Sequence, residues 1–140
     1  MKHLLPTDAW TWLQAERERR TQCGLKPPLF LDVRMEIESL YVGRPPGVLH
    51  IAWYEYPDLT ADPAAFVTAV NQEANGDKSL PMLLICRNGR RTLDAGYALE
   101  IAGFSEVVYV LHGFEGDLNT EFQRSTVNGW RFEGLPWEQM

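Results

Sequence analysis

Leu80-Pro81-Met82-Leu83-Leu84-Ile85-Cys86-Arg87-Asn88-Gly89-Arg90-Arg91-Thr92 is the stretch on which the reading of the fold turns. Its first half is the most apolar run of the chain, of a length that suits a strand buried on both faces. That strand delivers Cys86 at its C-terminal end. Glycine at 89 permits a tight turn, and the pattern beyond it predicts a helix from Thr92 to about Ala102, closed by Gly103. Leu93, Tyr97, Leu99 and Ile101 are its residues available for packing.

The same alternation extends in both directions. Towards the N-terminus, Lys26-Pro27-Pro28 stops anything helical, and Leu29-Phe30-Leu31-Asp32-Val33 is a second buried-strand run. A loop at Gly43-Arg44-Pro45-Pro46-Gly47 leads to another short apolar segment, Val48 to Trp53. Asp62-Pro63 ahead of Ala64 to Val70 reads as an N-cap, a proline in the first turn and an amphipathic helix, ended by Asn75-Gly76-Asp77. Thr7-Asp8 is read as the cap of a first helix with Ala9, Trp12, Leu13 and Glu16 on one side, and the charged run Glu16 to Arg20 as its solvated end. Val107 to Leu111 is a further buried strand, and the rest, through Gly113, Gly116, Asn128-Gly129 and Pro136, reads as irregular. Short apolar strands alternating with helices predict an α/β fold with a mostly parallel central sheet flanked by helices, because parallel neighbours need helical crossovers. The order of strands is open at this point.

The chain has 140 residues, 45 % of them apolar, which suits one domain over residues 1–140. Thirteen basic against nineteen acidic residues give a net charge of −6, so the chain offers no basic surface for nucleic acid or for an anionic membrane. Any anion site must be local. No stretch approaches the roughly 18 apolar residues of a membrane span, and the start of the chain lacks the apolar run of a signal peptide, so a cytoplasmic protein is expected. Cys23 and Cys86 stand in unlike surroundings, as free thiols of a reducing compartment do. His50 and His112 have no second ligand at metal spacing, so they are read as structural or rim histidines and neither metal nor cofactor is expected.

In open parallel sheets, ligands bind beyond the carboxyl ends of the strands, where strand 82–85 hands over to residues 86–92. The N-terminus of the following helix and the guanidinium groups of Arg87, Arg90 and Arg91 favour a thiolate at Cys86. Backbone amides with arginines also suit an anionic ligand. The competing reading is a buried strand-end cysteine with incidental arginines.

Cys86-Arg87-Asn88-Gly89-Arg90-Arg91-Thr92 resembles the active-site loop of rhodanese-like sulfurtransferases. Leu31-Asp32-Val33-Arg34 is similar to that family's strand-two motif, and Gly43 to Trp53 to its Gly-His-Ile-Pro-Gly-Ala-x-Asn-Ile segment, with Arg44 for the usual histidine and His50 at the asparagine position. Val107 to Gly113 resembles the last strand and its glycine, although Phe114 interrupts the usual glycine pair. The likeness spans about residues 7–119 and leaves a tail at 120–140.

The resemblance implies a rhodanese-like fold and sulfur transfer through a Cys86 persulfide. Arg87, Asn88, Gly89, Arg90, Arg91 and Thr92 are then the binding loop, with Thr92 expected to cap the helix. Asp32 and Arg34 would brace the loop, or form an ordinary fold-stabilising pair. The partners implied are a small anionic sulfur donor such as thiosulfate and a thiophilic acceptor, a sulfur-carrier protein among the candidates. Two alternatives stand beside this: a non-catalytic rhodanese-like module that binds a partner or senses redox state, and a phosphatase or arsenate reductase. The latter needs arginine six positions after the cysteine, where this chain has Thr92. Glu115, Gly116 and Asp117 are expected near the pocket rim, Cys23 is read as incidental, and Trp130, Phe132 and Trp137 as packing residues.

Overall fold

Met82–Ile85 form strand β4, and all four residues are buried, as the apolar run predicts. Because successive side chains of a strand point to opposite faces, Met82 and Leu84 join one apolar cluster while Leu83 and Ile85 join the other. A strand that packs on both faces must sit inside a sheet. The computed structural model, which describes all 140 residues, places β4 at the centre of five.

The other strands are β1 (Lys2–Leu4), β2 (Leu29–Asp32), β3 (Leu49–His50) and β5 (Val107–Val110). Their order is β1-β5-β4-β2-β3, and every pairing is parallel. Helices α1 (Pro6–Gln22), α2 (Pro63–Glu73) and α3 (Arg90–Ile101) make the crossovers. One face of the sheet carries α2 and α3 over a cluster containing Leu31, Trp53, Phe66, Val70, Ala95 and Leu99. The other carries α1, with Ala9 and Leu13 against Phe30, Ile85, Val110, Phe114 and Trp130. No helix is long and apolar enough to cross a membrane.

Several local expectations change. Strand β1 has no counterpart in the sequence reading, because three residues, two of them exposed, carry no apolar signal. Helix α1 begins at Pro6 with Leu5 as its N-cap; Thr7 instead bonds Glu133 through both its amide and its hydroxyl. The charged run 16–20 is helical, and Arg20 is buried with Nε donating to the Lys26 carbonyl. By contrast, Asp62 caps α2 as predicted, accepting from the Ala65 amide at 3.1 Å.

Helix α3 begins two residues before the predicted start. Of its four predicted packing residues only Leu99 is buried; Tyr97 is 54 % and Ile101 88 % exposed. The buried row is Thr92, Ala95, Gly96 and Leu99, which lies along one side of the helix at spacings of three and four. Small residues there let the helix approach the sheet, and the larger apolar ones are turned outwards. Tyr97 and Ile101 flank an open groove of about 660 Å³ between α2 and α3, with Trp53 and Val67 in its lining.

Candidate active site

Parallel register sets where the loop lies. Asp32 pairs with Ile85 and Leu84 with Tyr109, so the ends of β2, β4 and β5 come together at one edge. Cys86 is the next residue of the central strand and has no exposed surface. Cys23, by contrast, is exposed just after α1, in the stretch that leads into the start of β2. Both cysteines are free thiols.

The loop closes on the sulfur through Gly89. At φ +95° this residue takes a left-handed conformation that few side chains tolerate, and it is the N-cap of α3. Its amide donates to Cys86 Sγ at 3.1 Å. Thr92 Oγ1 lies 3.8 Å from the sulfur, and its hydroxyl donates to the Gly89 carbonyl at 2.8 Å. Thr92 is thus a first-turn residue that ties the loop together, where the sequence reading had it capping the helix. Asn88 Oδ1 accepts from the Arg90 amide at 3.2 Å.

The first two carbonyls of the loop are taken up by the 114–116 turn. Phe114 donates its amide to the Cys86 carbonyl at 2.8 Å, and Glu115 and Gly116 donate theirs to the Arg87 carbonyl at 2.9 and 3.2 Å. In a trans peptide the C=O and the N–H of the next residue point in opposite directions, so the amides of Arg87 and Asn88 are directed away from the 114–116 turn. Phe114, which breaks the family's glycine pair, is fully buried and stacks under the Arg34 guanidinium at 4.7 Å.

The three arginines of the loop part company. Arg87 and Arg90 are exposed on its rim. Arg91 is folded back into a bidentate ion pair with Glu38, at 2.6 and 2.8 Å, and lies 5.4 Å from the centre of the Tyr54 ring. Burial works against the Glu38 carboxylate, but the hydrogen bonds and charge of Arg91, with the Met35 amide, outweigh it and hold the carboxyl below its usual range. Burial likewise works against the Arg91 cation, and Glu38 outweighs it, so the guanidinium is held more firmly charged.

Asp32 and Arg34 form a second pair, fully buried, at 2.9 and 2.7 Å. Arg34 also donates to the Gly43 carbonyl at 2.7 Å, which fixes the turn after the Glu38 segment. His50 Nε2 lies 2.6 Å from the Arg34 carbonyl, a structural contact. His112 stands at φ +69° beside Gly89, with Nδ1 3.6 Å from Asp117. Glu115, expected as an acidic rim residue, pairs with Arg131 at 3.6 Å.

Glu38 is the residue that sequence reasoning missed. It lies four positions after Arg34, but its partner is 53 residues away, and no local spacing reports such a contact. Arg44 turns towards the tail, 3.6 Å from Glu138.

A parallel α/β sheet whose central strand ends on a cysteine, cradled by a short loop ahead of a helix, defines a class of cysteine-loop α/β proteins. Within that class, the family model described as the rhodanese-like domain matches residues 10–118, and the chain belongs to the rhodanese-like family. The crystal structure of Rv0390 from M. tuberculosis is similar at 30% identity and TM-score 0.79, over 100% of this chain and 98% of that one. The rhodanese-related protein from Thermoplasma volcanium shares the fold at 16% identity and TM-score 0.60, each chain covered at 100%. So does the polysulfide-sulfur transferase homodimer from Wolinella succinogenes, at 20% identity and TM-score 0.59, over 100% of this chain and 80% of that one. No match was found among curated proteins.

Proposed function

We propose that the protein is a sulfurtransferase that carries sulfane sulfur as a persulfide on Cys86. The observation that carries this reading is the buried Cys86 sulfur receiving the Gly89 amide at 3.1 Å, in a loop whose Cys86 and Arg87 carbonyls are bonded to the 114–116 turn. Family membership over residues 10–118 supports it.

In the first half-reaction the Cys86 thiolate attacks the outer sulfur of a donor such as thiosulfate. The new S–S bond forms as the donor's S–S bond breaks, and sulfite leaves with the electron pair. In the second, an acceptor thiolate or cyanide attacks the outer sulfur of the persulfide, and Cys86 departs as the thiolate it began as. No proton transfer is required of a side chain. The amides of Arg87, Asn88 and Gly89 hold the persulfide anion, and exposed Arg87 and Arg90 draw the anionic donor to the mouth. Arg91, paired to Glu38, shapes the loop from behind. The acceptor class includes small thiols and a carrier protein.

Intact mass spectrometry tests the reading. After incubation with thiosulfate, the protein should gain about 32 Da, one sulfur atom, and lose it to cyanide, while Cys86→Ser gains nothing. Absence of the adduct with both thiosulfate and a persulfide donor overturns it, and leaves a binding module as the reading to pursue.

A further inference from the structure

The segment Glu38–Val42, which carries Glu38, is a single five-residue π-helical turn. So short a helix has more unpaired end groups than internal hydrogen bonds, and it has no side-chain cap at Ile37. Something outside it must hold it in place.

Arg34 bonds the Gly43 carbonyl and Arg44 the Ser39 carbonyl, and the rest of that support comes from the C-terminal segment, beyond the family match. Gln139 Nε2 donates to the Tyr41 carbonyl at 2.8 Å, Arg131 Nη1 to the Val42 carbonyl at 3.3 Å, and the Met140 amide to the Leu40 carbonyl at 3.4 Å. Arg44 and Glu138 exchange both backbone hydrogen bonds at 2.9 Å. Trp137 packs against Gly43, where a Cβ would meet its ring at 2.8 Å, and stands near-perpendicular to the Phe114 ring at 6.2 Å between centroids. Arg131 in turn sits over both aromatic rings. The path from Trp137 therefore runs through Gly43 to Glu38, and from Glu38 to Arg91 of the cysteine loop.

We infer that Trp137 and the extended segment it leads, residues 137–139, are positioning residues of the sulfur site, which act through the 38–44 turn on the Glu38–Arg91 pair. This rests on the sulfurtransferase reading for its kinetic consequence but not for its structural one. The loop's shape depends on an element that the rest of the fold does not require for its sheet. A tail of this kind makes the family's common loop dependent on a segment that lies outside the family match.

The test combines local exchange with a double-mutant cycle in the full-length protein. In Trp137→Ala, amide exchange in 38–44 and 86–92 should quicken by about fivefold or more, while α2 exchanges as before. The kcat/KM of persulfide formation should fall by about tenfold, chiefly in kcat, and recover in Trp137→Phe. In a Glu38→Gln background the same Trp137→Ala change should cost under about twofold, because its route of action is already cut. Exchange that rises evenly across the chain, or an equal fractional loss of rate in both backgrounds, overturns the inference. If Trp137→Ala does not fold, Glu138→Pro removes one amide from the bridge to Arg44, with Glu138→Ala as its control. If the parent protein forms no persulfide, the chemistry fails, and the exchange measurements still decide whether the tail holds the loop.

Discussion

Gly89 combines two demands in one residue. Its φ of +95° excludes most side chains, and a Cβ would sit 3.4 Å from the His112 amide, while its own N–H reaches the Cys86 sulfur. Gly89→Ala should cost about 1–2 kcal/mol in urea unfolding through backbone strain, and should slow persulfide formation because the amide moves off the sulfur. An alanine variant as stable and as fast as the parent would refute this. Thr92→Val keeps the volume but removes the hydroxyl that joins the Gly89 carbonyl to the sulfur's surroundings. Its predicted cost is about 1–2 kcal/mol of stability, since the side chain is fully buried and leaves that carbonyl unpaired. At this scale the sequence was informative where chemistry is local. Cys86, Gly89 and Thr92 fall within seven residues and meet in space, whereas Arg91 looks the same as Arg87 and Arg90 on paper. Only the distant Glu38 tells them apart.

At the scale of elements, the strand-loop-helix unit 82–101 was legible because its strand is apolar throughout and its turn is marked by glycine. Helix α3's buried face was not, since counting apolar bulk selects Leu93, Tyr97 and Ile101, while the sheet accepts Ala95 and Gly96. The Glu38–Arg91 pair belongs to this scale, since it joins the 38–42 turn to α3. Glu38 is held below the ordinary carboxylate range, so the stability it contributes is present above that range. It is lost as pH falls through the folded-state value. Over roughly pH 5 to 3 the parent protein should lose stability more steeply than Glu38→Gln, whose amide does not titrate, as read by urea unfolding at each pH. Parallel pH curves for the two proteins would show that the pair contributes nothing through its charge. At neutral pH, Glu38→Gln should also form persulfide more slowly than the parent, because Arg91 loses its charged partner.

For the whole molecule, the sheet is covered on one face by α2 and α3 and on the other by α1 together with Trp130. Trp130 is fully buried, packs edge-on to Trp10 at 5.5 Å, and donates Nε1 to the Pro136 carbonyl at 2.8 Å. Of the three aromatic residues expected to pack in the tail, Trp130 does so fully, Trp137 partly, and Phe132 is half exposed. Trp130→Ala should cost about 3–5 kcal/mol, a large share of the about 5–15 kcal/mol that holds a typical domain folded, and lower the midpoint of thermal unfolding accordingly. A change under 1 kcal/mol would mean that α1 alone covers this face. The tail's part was hidden in the sequence because its contacts are long-range and its backbone follows no periodic pattern. The parallel sheet was visible because periodicity and run length are properties of each strand by itself.

With Cys86 as the proposed sulfur carrier, the complete recession of its side chain sets a gauge on what can discharge it. A slender nucleophile such as cyanide needs little movement of the loop to touch the outer sulfur, whereas a thiol fixed on the flat surface of a folded protein must wait for the rim to open. Acceptors should therefore be ranked by girth as much as by nucleophilicity. A protein that collects sulfur here would do so through a narrow, flexible arm long enough to reach past Arg87 and Arg90.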